Sequence, residues 1–270
     1  MSDGLYKANP TVNRDLYIAD YMKIMPMMTA AAANDSTFDA SISVVNKVFA
    51  RSGAAECGTL DKAYAAKIEA NKSDKAFLND VLKLYRIAGC KESAVYFKGS
   101  AYLHAIEPTA SSASGMAAQA FSKKDYSKAI SYYQEAIKLE SSKDAKSDYY
   151  YNIAYIYSLQ KNYPAARSNA QSALAMDPTA GKVYMLIATL YAGGYTQVDD
   201  DPVIQKTAFW AAVDKLEKAK AVDPSLASQA NSLIASYKKQ FPDKSELFMR
   251  GIKGGTYKVP GWIGETTTVR

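Results

Sequence analysis

Three stretches of this 270-residue chain place small residues at i and i+7 and a larger or small apolar residue at i+4: Ala129, Tyr133 and Ala136; Ala166, Ala170 and Ala173; Ala212, Leu216 and Ala219. Positions i, i+4 and i+7 share one face of a helix, and alanine there lets a neighbouring helix approach closely. Upstream of the second copy, Tyr150, Ile153, Ala154 and Tyr157 mark a partner helix, and Tyr184, Ile187, Ala188 and Tyr191 repeat it before the third. The chain is therefore built on two-helix units with a period in the mid-thirties. Such a unit cannot bury its apolar face alone and must stack on its neighbours.

This pattern resembles the tetratricopeptide repeat (TPR), with its Trp-x2-Leu-Gly-x2-Tyr helix, its Ala-x3-Phe helix and its closing Pro. On that resemblance Tyr150 and Tyr184 stand where the family has Trp, and Ala154 and Ala188 take the small position. Ala129, Ala166 and Ala212 are the second-helix alanines. The implied fold is all-α, a right-handed TPR-type α-solenoid of helical hairpins. Residues 109–242 form repeats plus a closing helix carrying Leu226, Ala230, Leu233, Ile234 and Tyr237. Residues 1–108 form degenerate hairpins of the same style.

The second-helix alanines, counting Ala94 in a degenerate unit, lie 35, 37 and 46 residues apart. Against an ideal of about 34, the excess of three is expected in a loop over 141–148, and the excess of twelve over 193–204. Pro108, Pro178, Pro224 and Pro242 punctuate the units, and Asp201-Pro202 starts the delayed helix. Earlier, Leu60, Tyr64 and Ile68 continue the helical period, as do Phe38, Ile42, Val45 and Phe49. Ser73 is expected to cap a helix that Gly89 ends. Leu16, Ala19, Met22 and Met25 read as an opening helix disturbed at Pro26. This apolar opening lacks the polar cap of a repeat array, so a further N-terminal part is expected. Residues 243–270 differ in kind: five glycines lie among Thr256–Val259, Trp262, Ile263 and Thr266–Val269, which reads as a short β-hairpin or an extended tail.

Composition argues for binding over chemistry. There are 21 tyrosines, one histidine and two cysteines. A structural zinc site and a Cys/His or Ser/His nucleophile therefore lack their residues, unless catalysis runs through His104. Glu107 beside it makes no dyad without a nucleophile. No Walker, HExxH, GxSxG or GxGxxG motif occurs, and Asp199-Asp200-Asp201 lacks the glycine and distal glutamate of an EF-hand. The reading is no enzyme, no metal and no cofactor. The balance of 33 basic against 27 acidic residues gives +6, but lysine alternates with acid, so no nucleic-acid partner is expected. No apolar run of about 18 residues offers a transmembrane segment. Cys57 and Cys90 permit a disulfide in an oxidising compartment, although two buried thiols read identically.

The TPR resemblance implies a protein or peptide partner on the concave side, lined by the first helices. There the sequence places Ser114, Ala118, Tyr151, Asn152, Tyr155, Lys182, Met185 and Thr189. Of the five residues of a TPR dicarboxylate clamp only Asn152 and Lys182 are matched; Ser114, Ala118 and Leu186 stand in the other positions. The lining is instead neutral and aromatic, suited to a peptide. An alternative occupant is the chain's own tail, anchored by Trp262. Cys57-Gly-Thr-Leu, Gly89-Cys90-Lys-Glu-Ser, Asn162-Tyr-Pro-Ala-Ala-Arg167 and Gly261-Trp-Ile-Gly-Glu-Thr-Thr-Thr-Val-Arg270 are similar to uncharacterised TPR proteins of the Bacteroidetes envelope. That likeness implies a periplasmic or outer-membrane-associated scaffold, in possible contact with membrane proteins; a cytoplasmic location is the alternative. The rival function is a glycan- or nutrient-binding outer-membrane component of SusD-like type, stacking sugars on Trp210, Trp262 and Tyr195.

Overall fold

The computed structural model describes residues 2–32, 35 and 37–270. Two units, Met1–Leu139 and Glu140–Arg270, each enclose a hydrophobic cluster. The division falls inside the repeat array.

In the first unit, α1 (Ser2–Ala8), α2 (Pro10–Ala32), α3 (Thr37–Ala50) and α4 (Cys57–Ala70) lead into α5 (Lys75–Ile87), α6 (Ala94–Ile106), α7 (Ala110–Ser122) and α8 (Tyr126–Leu139). Helix α2 buries Tyr17, Ile18, Tyr21 and Met25, not the expected Leu16, which is 49% exposed. Aromatic area decides the face: Tyr21 stacks on Phe49 with ring centroids 3.8 Å apart, and Tyr17 stacks on Tyr6. Pro26 does not end the helix. It lies on the exposed side, where the carbonyl it leaves unpaired can meet water.

Helix α5 is capped by Asp74, whose carboxylate accepts the Phe77 N–H at 3.0 Å; Ser73 is not the cap. Gly89 (φ 76°) closes it as expected, with the Cys90 N–H reaching back to the Tyr85 carbonyl at 2.8 Å. That turn brings Cys90 to Cys57 at the start of α4, and the two are joined by a disulfide, Cα–Cα 5.3 Å. Beside it the Asp61 carboxylate accepts hydrogen bonds from Tyr85 (3.0 Å) and Ser93 (2.5 Å). The thin α7 packs closely on α6: a Cβ built on Gly115 would lie 1.9 Å from Ser100 Oγ.

Closing a 33-residue separation removes about 3–4 kcal/mol of denatured-chain entropy. A Cys57→Ser/Cys90→Ser chain should lose about that much stability. Limited proteolysis should show new cleavage in residues 2–139 while fragments of 140–270 survive. Equal loss of both halves would mean that the bridge does not act locally.

The second unit carries α9 (Lys143–Leu159) paired with α10 (Tyr163–Met176), and α11 (Gly181–Gly193) paired with α13 (Ala208–Val222). Between the latter two lie a 3-10 turn (Tyr195–Gln197) and the short α12 (Pro202–Gln205); α14 (Ala227–Lys238) then packs on α13. Ala154, Ala166, Ala170, Ala173, Ala188, Ala212 and Ala219 are wholly buried, so the repeated small residues are the seam between helices. The twelve-residue excess falls between α11 and α13 as expected. The three-residue excess does not form a loop. It lengthens α9 to 17 residues against 13 in α7, because Ser142 caps that helix through the Ala145 N–H.

The tail folds as α15 (Lys244–Met249) and a hairpin of β1 (Thr256–Lys258) and β2 (Thr266–Thr268), paired antiparallel with Tyr257 opposite Thr267. Its loop is driven into the repeats: Val259 and Ile263 are wholly buried. Glu265 is the main fastener. Its carboxylate pairs with Arg167 of α10 (3.2 Å) and Lys215 of α13 (2.7 Å), and accepts the Tyr191 hydroxyl of α11 (2.6 Å). Arg167 Nε also donates to the Tyr191 oxygen at 2.9 Å. At the chain's end, Asp214 of α13 takes a hydrogen bond from Thr267 (2.5 Å) and an ion pair from Arg270.

Burial would push the Glu265 carboxyl up. The hydrogen bonds from Lys215 and Tyr191 and the charges of Lys215 and Arg167 outweigh it and hold the group below its ordinary 4.5. A carboxyl depressed in the folded state adds stability above its unfolded pKa, and that stability is lost as pH falls through the folded value. Glu265→Gln should therefore cost about 2 kcal/mol at pH 7, less than a fully buried pair because the side chain keeps 22% exposure. Its stability should fall less steeply than the wild type's once pH drops below about 4.5. Urea denaturation followed by tryptophan fluorescence at several pH values measures both. An unchanged acid limb would show that Glu265 does not fasten the tail.

Candidate functional site

The first helices of the second unit, α9 and α11, present the surface that the repeat pattern assigns to a partner. Helical spacing sets Asp148, Tyr151, Asn152, Tyr155 and Leu159 along one stripe of α9, and Lys182, Met185 and Thr189 along one stripe of α11. The two stripes meet at Lys182. Its ammonium pairs with Asp148 across the helices and lies 5.0 Å over the Tyr151 ring. Burial pushes the Tyr151 phenol up, against the pull of the Lys182 charge. The phenol stays neutral, an apolar plate with a hydroxyl at its rim.

Tyr155 is 41% exposed and Leu159 46% exposed, one and two turns further along α9. Asn152 is half-buried beside them, and Thr189 is exposed but spends its hydroxyl on the Leu186 carbonyl at 2.7 Å. Met185 is buried and supports the stripe from below. In the first unit, Ser114 and Ala118 are buried too, and the Ser114 hydroxyl donates to the Ser111 carbonyl at 2.9 Å. These three therefore offer a partner no open side chain. In α7 ten of the thirteen residues are Ala, Ser or Gly, and most of these short side chains are buried.

Trp262 anchors the tail, but away from Tyr151 and Tyr155. It stacks on Tyr163 at 5.7 Å, meets Tyr191 edge-on at 5.5 Å and donates its indole N–H to the Gly194 carbonyl at 3.2 Å. Gly194 must be glycine here, since a Cβ would lie 2.5 Å from the Tyr163 ring. Gly261, at φ 62°, brings the turn against the Val198 carbonyl. The tail thus covers the turn between α11 and α13 and the start of α10. The three aromatics considered for sugars are all occupied: Trp210 is wholly buried, Trp262 is stacked, and Tyr195 packs on Phe209 at 5.1 Å.

The polar residues noted in the sequence have structural partners. Asp201 caps α12 through the Val203 N–H (2.8 Å) and pairs with Arg250 (2.5 Å), while Asp199 accepts the Asp201 N–H. His104 lies 3.3 Å from the Ser112 hydroxyl and 3.8 Å from the Glu135 carboxylate. Its sequence neighbour Glu107 pairs with Lys75 instead. Among the described residues there is no group of three or more His, Cys, Asp or Glu placed to hold a metal ion, and no helix long and apolar enough to cross a membrane.

The sequence profile of the tetratricopeptide repeat matches residues 108–179, which span α7 to the end of α10. No curated protein sequence matches the chain. Among solved structures it is similar to the Cut9–Hcn1 hetero-tetramer of the APC/C, with 19% identity and a TM-score of 0.52 over 87% of this chain and 44% of that one. The chain thus spans under half the length of that relative. MamA aligns over 63% of this chain and 92% of its own at 19% identity, TM-score 0.48. The TPR2AB domain of yeast Sti1, solved in a pHSP90 complex, aligns over 88% and 95% at 18% identity, TM-score 0.40. The paired helices and their buried alanine seam agree with that profile: residues 108–179 carry tetratricopeptide repeats within an all-α fold.

Proposed function

We propose that the protein is a non-enzymatic scaffold of the bacterial cell envelope that holds a protein partner on the outer stripe of α9 and α11. The observation that carries this reading is the run Tyr151, Tyr155 and Leu159, graded from half-buried to exposed, with the Asp148–Lys182 pair at one end. Aromatic side chains that keep a wet hydroxyl lose little rotamer freedom on binding and dominate protein interfaces. The repeat family matched over residues 108–179 supports a protein-binding role. The Cys57–Cys90 disulfide supports an oxidising compartment, hence the periplasm or the outer-membrane surface. The glycan-binding alternative draws no support, because Trp210 is wholly buried and Trp262 and Tyr195 are packed against other rings.

A photo-crosslinking phenylalanine analogue at Tyr155 should trap one discrete partner in intact cells and sit in the envelope fraction. The same analogue at exposed Lys218 of α13 should trap none. With the partner purified, Tyr155→Ala should weaken binding roughly 5- to 30-fold, the loss typical of an interface tyrosine worth about 1–2 kcal/mol. Identical adducts at both positions, or wild-type affinity of the alanine variant, would remove this face from the function.

A further inference from the structure

The tail builds a second concave surface that shares no residue with the α9–α11 stripe. Helix α15, the turn after it and the end of β2 enclose a hollow of about 460 Å³. Leu247, Ile252 and Val269 make its floor, and Phe248 stands at its mouth. Phe248 is 67% exposed and its neighbour Met249 is 73% exposed, two large apolar side chains in succession held out of the core. The rim is basic: Lys244, Lys253 and Arg270 contribute to the lining, and no aspartate or glutamate does.

The hollow is fixed by its own backbone. Asp243 and Glu246 close a capping box at the start of α15. The Ile252 N–H returns to the Leu247 carbonyl at 3.0 Å, and the Val269 N–H to the Gly255 carbonyl at 2.9 Å. Arg270 is held by Asp214 and by the Trp210 carbonyl, so it acts as a wall. Lys244 and Lys253 are exposed, and the Lys253 ammonium lies 5.8 Å from the Phe248 ring centroid, over the mouth.

We infer that this hollow is a docking site for an acidic linear segment of another protein, one that inserts a large apolar side chain between Lys244 and Lys253. Three observations select that occupant. The volume suits one or two apolar side chains and falls within the range of preformed ligand sites. The exposed Lys244 and Lys253 on the rim complement carboxylates flanking the inserted residue. The surface is a hollow with a ring at its lip, and a flat bilayer would leave it unfilled, whereas a peptide side chain fills it. The exposed Phe248 and Met249 then become interface area instead of an unexplained apolar patch.

The test uses the full chain and a fluorescein-labelled synthetic peptide, Ser-Asp-Glu-Leu-Phe-Asp-Glu-Ser, followed by anisotropy. Saturable binding is expected that weakens at least tenfold on raising NaCl from about 50 to 300 mM. Lys244→Glu/Lys253→Glu should weaken it at least tenfold, as should Phe248→Ser; all three side chains are exposed, and circular dichroism confirms that the variants fold. A peptide with lysine for its acids, or with alanine for Leu-Phe, should not bind. Tyr155→Ala should bind the probe normally, which keeps this result independent of the α9–α11 reading. Absence of saturable binding, indifference to the charge reversal, or loss on Tyr155→Ala would overturn the inference. Binding to phosphatidylglycerol vesicles without binding to the peptide would overturn it in favour of a membrane contact.

Discussion

Glu265 sits where α10, α11 and α13 can each reach one carboxylate, through Arg167, Tyr191 and Lys215. Two cations against one anion leave no acid to spare, and the Tyr191 hydroxyl bridges Arg167 to Glu265 in a closed ring of donors and acceptors. A half-buried cluster of this kind contributes less to net stability than to geometry, because breaking any member strands a charge. It therefore fixes the angle at which the tail crosses the second repeat and fixes the spacing of three helices at once. Val259, Ile263 and Trp262 then follow as apolar filling around a polar pin.

The repeat core was legible in the sequence because its signal is local and redundant. Ala166, Ala170 and Ala173 lie within eight residues, and their burial follows from helical period alone. The fasteners were not, because their partners lie far apart in the chain: Arg167 and Glu265 are 98 residues apart, Tyr191 and Glu265 are 74. Each reads singly as an ordinary surface charge or a packing tyrosine. The α2 face was misjudged for another reason. Leu16 and Met22 satisfy the spacing as well as Tyr17 and Tyr21 do, and the choice between the two faces rests on rings supplied by Tyr6 and by Phe49 of α3.

The candidate face was legible only in part. Transferring family positions onto α9 picks large residues that the structure leaves half-buried or exposed. It misplaces Ser114 and Ala118, because a position that faces outward in a helix of ordinary side chains is sunk in a helix of Ala, Ser and Gly. Met185 is misplaced likewise: most of α11 is buried, so its outward stripe narrows to Lys182 and Thr189.

The four stretches more specific than the repeat pattern turn out to pair with one another. Cys57-Gly-Thr-Leu is bound to Gly89-Cys90-Lys-Glu-Ser through the disulfide, and through Asp61 just beyond it, which takes the Ser93 hydroxyl. Asn162-Tyr-Pro-Ala-Ala-Arg167 is bound to the closing Gly261–Arg270 run by the stack of Tyr163 on Trp262 and by the Arg167–Glu265 pair. Sequence specificity beyond a repeat is easily read as a binding site. Here a simpler physical cause accounts for it: a solenoid's own contacts are between neighbours, and each pair ties segments that the repeat alone would leave loose. One lies in each unit, a covalent bridge in the first and a charge-and-stacking clasp in the second. The surfaces we propose for partners, the tyrosine stripe of α9 and the basic-rimmed hollow of the tail, are ones the fasteners do not use.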